Sequence, residues 1–161
     1  MTYIKIYEDE TVSASIFALQ KDSSLPVHDH PHMYGFIKCI YGTLKITSYS
    51  QTTKKSSESI IQKGDADRGS LNTYAYKESD LCVTESCQDI AILTPKKGNI
   101  HSISAVDGPA AFIDFLIPPY GDKDCHYFAI TDATDDIHTL QQIPCPSWYW
   151  CAHAPYRGSL I

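Results

Sequence analysis

The sequence predicts an all-β fold, either a two-sheet jelly roll or a closed β-barrel, and three observations carry that prediction. Short runs alternate between apolar and polar residues with the two-residue period of a strand. Clusters of Gly, Pro, Asn and Asp punctuate them, and no long stretch keeps the 3.6-residue period of an amphipathic helix. The 161 residues suffice for one buried core and no linker-like break divides them, so one domain over residues 1–161 is expected.

The runs come in order. Strands are expected at Tyr3 to Tyr7 and Val12 to Leu19. FIKCIYGTLKITSYS then sets Lys38, Lys45, Thr47 and Tyr49 against apolar neighbours and breaks at Tyr41-Gly42-Thr43, which reads as two strands joined at a turn. Cys39, among Ile37, Ile40 and Tyr41, reads as a small buried hydrophobe. Further strands are expected at Leu81 to Glu85, Asp89 to Thr94, Asn99 to Val106, Ala110 to Ile117 and Tyr127 to Ile130. SSLP, QKGDADRGS, TPKKGN, VDGP and PPYGDKD supply the turns, and SQTTKKSSES reads as a polar surface loop. In the tail, the aromatics of CPSWYWCAHAPY are expected to pack across one end of the barrel.

Composition narrows the function classes. With 43% hydrophobic and 20% charged residues and no apolar run long enough to span a bilayer, the chain has a globular composition. A net charge of -6 with scattered Lys and Arg argues against nucleic acid and anionic membranes as partners, which leaves something small or locally basic. MTYIKIYEDETVSAS is too charged for a secretory signal, so a cytoplasmic location and six free cysteine thiols are expected.

VHDHPHM places His28, His30 and His32 on alternating positions. On a strand, His28 and His30 share a face and can reach one metal ion; solvated loop histidines are the alternative. His101 sits inside the strand-like NIHSISAV, where an imidazole needs a polar partner or a metal. No Glu or Asp lies between Asp29 and Glu58, and Asp29 points away from its histidine neighbours. A site of His28, His30 and His101 is then three neutral imidazoles around a divalent ion, a centre that favours an anionic ligand such as a thiolate.

In AAFIDFLIPPY both strand faces are apolar except for Asp114, so this strand is expected to be buried on both sides. A buried carboxylate calls for a partner, either a structural Lys or Tyr or the amine of a substrate. DCHYF puts Cys125 and Tyr127 on one face, where they either pack ordinarily or couple oxidatively. Cys145, Cys151 and His153 form a C-x5-C-x-H spacing that a structural zinc could use, without the usual paired short knuckles. Asp122 and Asp124 are either solvated or tuned to a basic substrate.

Together, LPVHDHPHMYGFIKCIYGTLKI and NIHSISAVDGPAAFIDFLIPPYGDKDCHYF closely resemble the thiol dioxygenases of the cysteamine (2-aminoethanethiol) dioxygenase and plant cysteine oxidase family. The likeness runs from about Leu25 to the C-terminus and is weakest between Ser50 and Asp89. It implies a cupin barrel, a mononuclear Fe(II) held by three histidines, and O2 as co-substrate, with both oxygen atoms inserted into a thiol to give a sulfinic acid. The substrates it implies are cysteamine and proteins with an N-terminal cysteine, whose oxidation reports oxygen; a monomer is expected. Motif by motif, His28, His30 and His101 fall on the iron ligands, Asp114 on the substrate-positioning acid, Tyr120 on the tyrosine of the PPY segment near the pocket, and Cys125 and Tyr127 on a cross-linking pair. His32 departs from the family, which usually has Gly there. The rival of another class is a noncatalytic metal- or ligand-binding cupin.

Overall fold

A computed structural model describes residues 1–53, 72–134 and 136–159. QKGDADRGS and all of SQTTKKSSES after Thr53 lie outside the described residues. The strands are β1 (Thr2–Glu8), β2 (Ser13–Leu19), β3 (Ser24–His28), β4 (Tyr34–Tyr41), β5 (Thr43–Gln51), β6 (Asn72–Lys77) and β7 (Leu81–Thr84). They continue with β8 (Ala91–Leu93), β9 (Ile100–Ala105), β10 (Ala110–Ile117), β11 (Tyr127–Thr134), β12 (Ile137–Ile143) and β13 (Ala152–His153). Every strand expected from the sequence is present. β3, β6, β12 and β13 are additions, and β11 runs four residues past the expected Ile130.

Two sheets pack face to face, in the orders β13-β1-β2-β10-β4-β8 and β6-β12-β11-β3-β9-β5-β7. A further β5–β6 pairing closes the second sheet on itself through Tyr49–Lys77 and Gln51–Ala75, which covers the otherwise open edge of β6. This is the jelly-roll barrel that the alternation predicts. Leu25, Ile37, Leu44, Ile46, Ile103 and Phe112 form the main core between the sheets, with Cys39 buried among them as expected. Tyr49, Ile100, Phe128 and Leu140 build a smaller one.

The β4–β5 turn is where the chain predicts it. Gly42 adopts φ +70, and a Cβ there would lie 2.3 Å from the Pro109 carbonyl oxygen, so both the backbone hand and the close approach require glycine.

Strand β10 corrects one expectation. Its inward face, Ala110, Phe112, Asp114 and Leu116, is buried, but Phe115 and Ile117 on the other face are 38% and 44% exposed beside Tyr34 and Ile92. Antiparallel sheets need cover on one face only, so apolar alternation on both sides did not mean burial on both.

The tail is also corrected. Tyr149 packs against the core as expected, whereas Trp148 and Trp150 stand 63% and 71% exposed.

Candidate metal centre

Strand register builds the site. On the second sheet His101 of β9 lies opposite His28 of β3, and His28 lies opposite Tyr127 of β11, so three side chains stand in one row on the inner face. His30 is not held by strand parity, because β3 ends at His28 and His30 falls in the turn beyond it, closed by Met33 N–H donating to the His30 carbonyl at 3.1 Å.

Three clamps fix that turn. The Asn99 amide oxygen accepts from His30 N–H at 3.1 Å, and its NH2 donates to the His30 carbonyl at 2.8 Å and to the Thr94 carbonyl at 3.1 Å. The Asp29 carboxylate accepts from His126 N–H at 2.8 Å and faces its ring Nδ1 at 2.9 Å, while Asp29 N–H donates to the His126 carbonyl at 3.1 Å. The Tyr120 hydroxyl donates to the Asp29 carbonyl at 2.5 Å. Asp29 thus points away from the histidine cluster, as expected, and ties the turn to the β10–β11 connection.

These bonds assign the histidine tautomers. A carbonyl only accepts, so His28 Nδ1, 2.9 Å from the Pro26 carbonyl, carries its proton. The Tyr120 proton is committed to Asp29, so its oxygen accepts from His30 Nδ1–H at 3.0 Å. His101 bonds the Gly98 backbone. Burial keeps all three imidazoles neutral, holding His28 below and His30 and His101 well below the ordinary histidine range.

That leaves two bare Nε2 lone pairs, of His28 and His30, facing each other at 3.1 Å with no proton between them. Such a contact is repulsive unless a cation lies between. For metal–nitrogen bonds of about 2.1 Å, a separation of 3.1 Å would let both nitrogens hold one ion. Ligand atoms of His28, His30 and His101 all lie within 4.8 Å of one another. Among the described residues this is the one His, Cys, Asp or Glu group that converges so. Cys145, Cys151 and His153 do not, and His153 instead packs its ring against Tyr3. His32 is exposed at φ +62 and does not line the site.

The histidines open onto a cavity of ≈130 Å³ between the sheets. Phe17, Leu25, Ile103, Phe112 and Leu116 wall it, and Asp114, Tyr120, Cys125, Tyr127 and Tyr149 reach it. His28, His30, His101, Asp114, Tyr120, Cys125 and Tyr127 therefore all border one cavity, and Asp122 and Asp124 do not. Of the two partners open to Asp114, the structural Lys or Tyr is not there: its Oδ1 is buried with no hydrogen bond, and desolvation pushes its carboxyl up to about 7. Burial also pushes the Tyr120 and Tyr127 phenols and the Cys125 thiol up.

The PCO_ADO family model matches residues 1–161. The chain belongs to the PCO_ADO family. Its curated relatives include 2-aminoethanethiol dioxygenase of Mus musculus, 31% identical over 100% of this chain and 71% of that one, and its Homo sapiens counterpart, 31% identical over 100% and 68%. Plant cysteine oxidase 2 of Arabidopsis thaliana is 33% identical over 80% of this chain and 44% of its own. Among solved structures, CapF with the inhibitor 3-isopropenyl-tropolone shares the fold with a TM-score of 0.51 at 9% identity, over 76% of this chain and 29% of that one.

The sequence did not single out Asn99 or His126, and it offered Tyr149 only as one of the tail aromatics. Asn99 left one signal, a polar residue immediately before the His101 strand. His126 left none.

Proposed function

We propose that the chain is an Fe(II)-dependent thiol dioxygenase that adds both atoms of O2 to the thiol of a small aminothiol or of a protein N-terminal cysteine. The reaction balances without an external reductant: R–SH plus O2 gives R–SO2H, with the sulfur oxidised by four electrons and O2 reduced by four. The observation that carries the reading is one small apolar cavity with three neutral imidazoles on one wall and an unpartnered carboxylate, Asp114, reaching it from the other. Names of the relatives support the reaction class.

Fe(II) held by His28, His30 and His101 would supply the redox chemistry for thiol and O2. The protein supplies position. Asp114 receives the substrate ammonium, which gives its Oδ1 the partner it lacks and favours its ionised form. Phe112, Leu116 and Ile103 keep water from the cavity, and Tyr120 holds His30 in the tautomer that leaves Nε2 bare. Cys125 and Tyr127 both border the cavity, and we propose that they couple oxidatively. The six free thiols fit a cytoplasmic location, which we also propose.

The test is anaerobic reconstitution with Fe(II), then exposure of cysteamine and of a Cys-initiated peptide to O2. Mass spectrometry should find a gain of two oxygen atoms with matching O2 uptake. Iron loading without thiol-dependent uptake would leave the chain a metal-binding protein and refute the enzyme.

A further inference from the structure

The outer faces of the two sheets differ in a way that the barrel itself does not require. On the second sheet the outward rows pair Lys45 with Ser104 and Thr47 with Ser102, alternating with the core positions Leu44, Ile46 and Ile103. Polar residues outside and apolar residues inside suit an antiparallel sheet with one face in water.

The first sheet breaks that pattern. Register sets Ile92, Phe36, Phe115, Ala14 and Tyr7 side by side across β8, β4, β10, β2 and β1. To one side of this row lie Lys38, Ile113, Ile16 and Ile4, and to the other Tyr34 lies opposite Ile117. These positions alternate with Ile37 and Phe112 of the core, so they face away from the histidine cavity. The one charge in these rows, the Lys38 ammonium, is committed to the Cys87 carbonyl, to which it donates. At the margin the Tyr7 hydroxyl donates to the Asp9 carboxylate at 2.9 Å, which gives the apolar centre a polar rim.

The area is large enough to matter. Tyr7, Tyr34, Ile92, Phe115 and Ile117 are all exposed, Ile92 by 61% and Tyr34 by 50%. For side chains of about 150–250 Å² each, the face presents about 600–700 Å² of apolar surface, at or above the largest patch of an ordinary monomer. Two such faces together remove about 1,200–1,400 Å² from water, within the range of about 1,200–2,000 Å² of specific, stable interfaces. Two copies of one sheet also share one twist, so they can pack face to face as the sheets of a sandwich do. With a net charge of -6 on the chain and its single cation already bonded, the face has no electrostatic pull on an anionic lipid surface or an acidic partner.

We propose that the outer face of the first sheet is a homodimer interface, centred on β10 and closed by a two-fold axis. It departs from the monomer that the family resemblance implies, and it stands independently of the dioxygenase reading.

Sedimentation velocity of the full chain at about 1–100 µM should give twice the chain mass, and the urea midpoint should rise with protein concentration. A Tyr34→Lys, Ile92→Lys double variant sets like charges against each other, each counted twice by the two-fold axis. It should weaken the dimer by at least about 100-fold and leave a monomer in that range. Ser104→Lys, on the polar outer face of the second sheet, should leave the dimer unchanged. Near-UV circular dichroism checks that each variant folds. If the Lys variant does not, Tyr34→Ser, Ile92→Ser removes apolar area without adding charge and should still weaken the dimer by at least about tenfold. A wild type that stays monomeric at about 100 µM overturns the proposal, as does a dimer that neither double variant weakens. A mass that keeps growing past two copies overturns it too, because a two-fold pair is closed. Co-sedimentation of a monomeric wild type with phosphatidylcholine vesicles would assign the face to lipid instead.

Discussion

Asp114→Asn should make the protein more stable and less active, and the stability gain should depend on pH. Burial raises the Asp114 carboxyl from 3.8 to about 7 with no hydrogen bond to Oδ1. Above pH 3.8 the unfolded chain ionises this group, while the native state keeps it protonated until about 7. The native state thus binds more protons in that window, and stability falls as pH rises through it, levelling off above about pH 7. A shift from 3.8 to about 7 corresponds to about 4 kcal/mol in total, of which about 2.5 kcal/mol falls between pH 5 and pH 8.5. The assay is urea unfolding of wild type and variant with a chelator present, at several pH values across that range. Titration of every other group is common to both proteins and cancels in the difference. The advantage of Asn over Asp should widen by about 2.5 kcal/mol toward pH 8.5, while thiol-dependent O2 uptake by the iron-loaded variant drops and its iron content holds. A difference that does not change with pH, or that favours Asp at high pH, would refute the claim that Asp114 is an unpartnered buried acid.

The other predictions follow from the same geometry. His101→Ala should lose iron and O2 uptake together, each by at least about tenfold, as read by metal analysis and oxygen electrode. Asn99→Ala should weaken iron binding by about 10- to 100-fold, because His30 N–H loses its partner and the His30 carbonyl keeps only the Met33 N–H. Asn99→Asp, which keeps an acceptor for His30 N–H, should recover part of that loss. After aerobic turnover, intact mass should fall by about 2 Da if the Cys125 thiol and the Tyr127 ring couple with loss of two hydrogens to O2, and Cys125→Ala should abolish the deficit. Gly42→Ala should cost about 2 kcal/mol or more in chemical unfolding, since its Cβ meets the Pro109 carbonyl at a left-handed φ.

Alternation revealed the strands that obey it and missed those that do not. Strand β3 is five residues with Pro26 inside and a register shift between Leu25 and His28, so its first half, within SSLP, reads as a turn. In β12 the buried positions Ile137 and Leu140 are three apart, facing a register shift between Ile130 and Asp132 in β11. The three histidines were legible for two reasons: His28 and His30 alternate, and His101 is a costly residue inside an apolar strand-like run. The clamps were not: His30 bonds Asn99 from 69 residues away, and Asp29 meets His126 from 97 away, both through backbone groups that carry no side-chain signature. Asp114 was legible as an anomaly, and its missing partner became visible only in three dimensions.

That missing partner bears on why the metal wall carries no carboxylate. Three neutral imidazoles would leave the full charge of a divalent ion on one wall, and Asp114, ionised, places one negative charge on the opposite sheet. Had the carboxylate been a ligand, it would have cancelled part of the metal's charge and weakened the pull on an incoming thiolate. Set apart, the two charges match a molecule with a thiolate at one end and an ammonium at the other. Each pole then meets its opposite in an apolar cavity, where water screens neither. A thiol without an amine satisfies only the metal and leaves Asp114 to be kept protonated, and an amine without a thiol satisfies only Asp114. On the proposed function, the cavity would therefore select the two groups together.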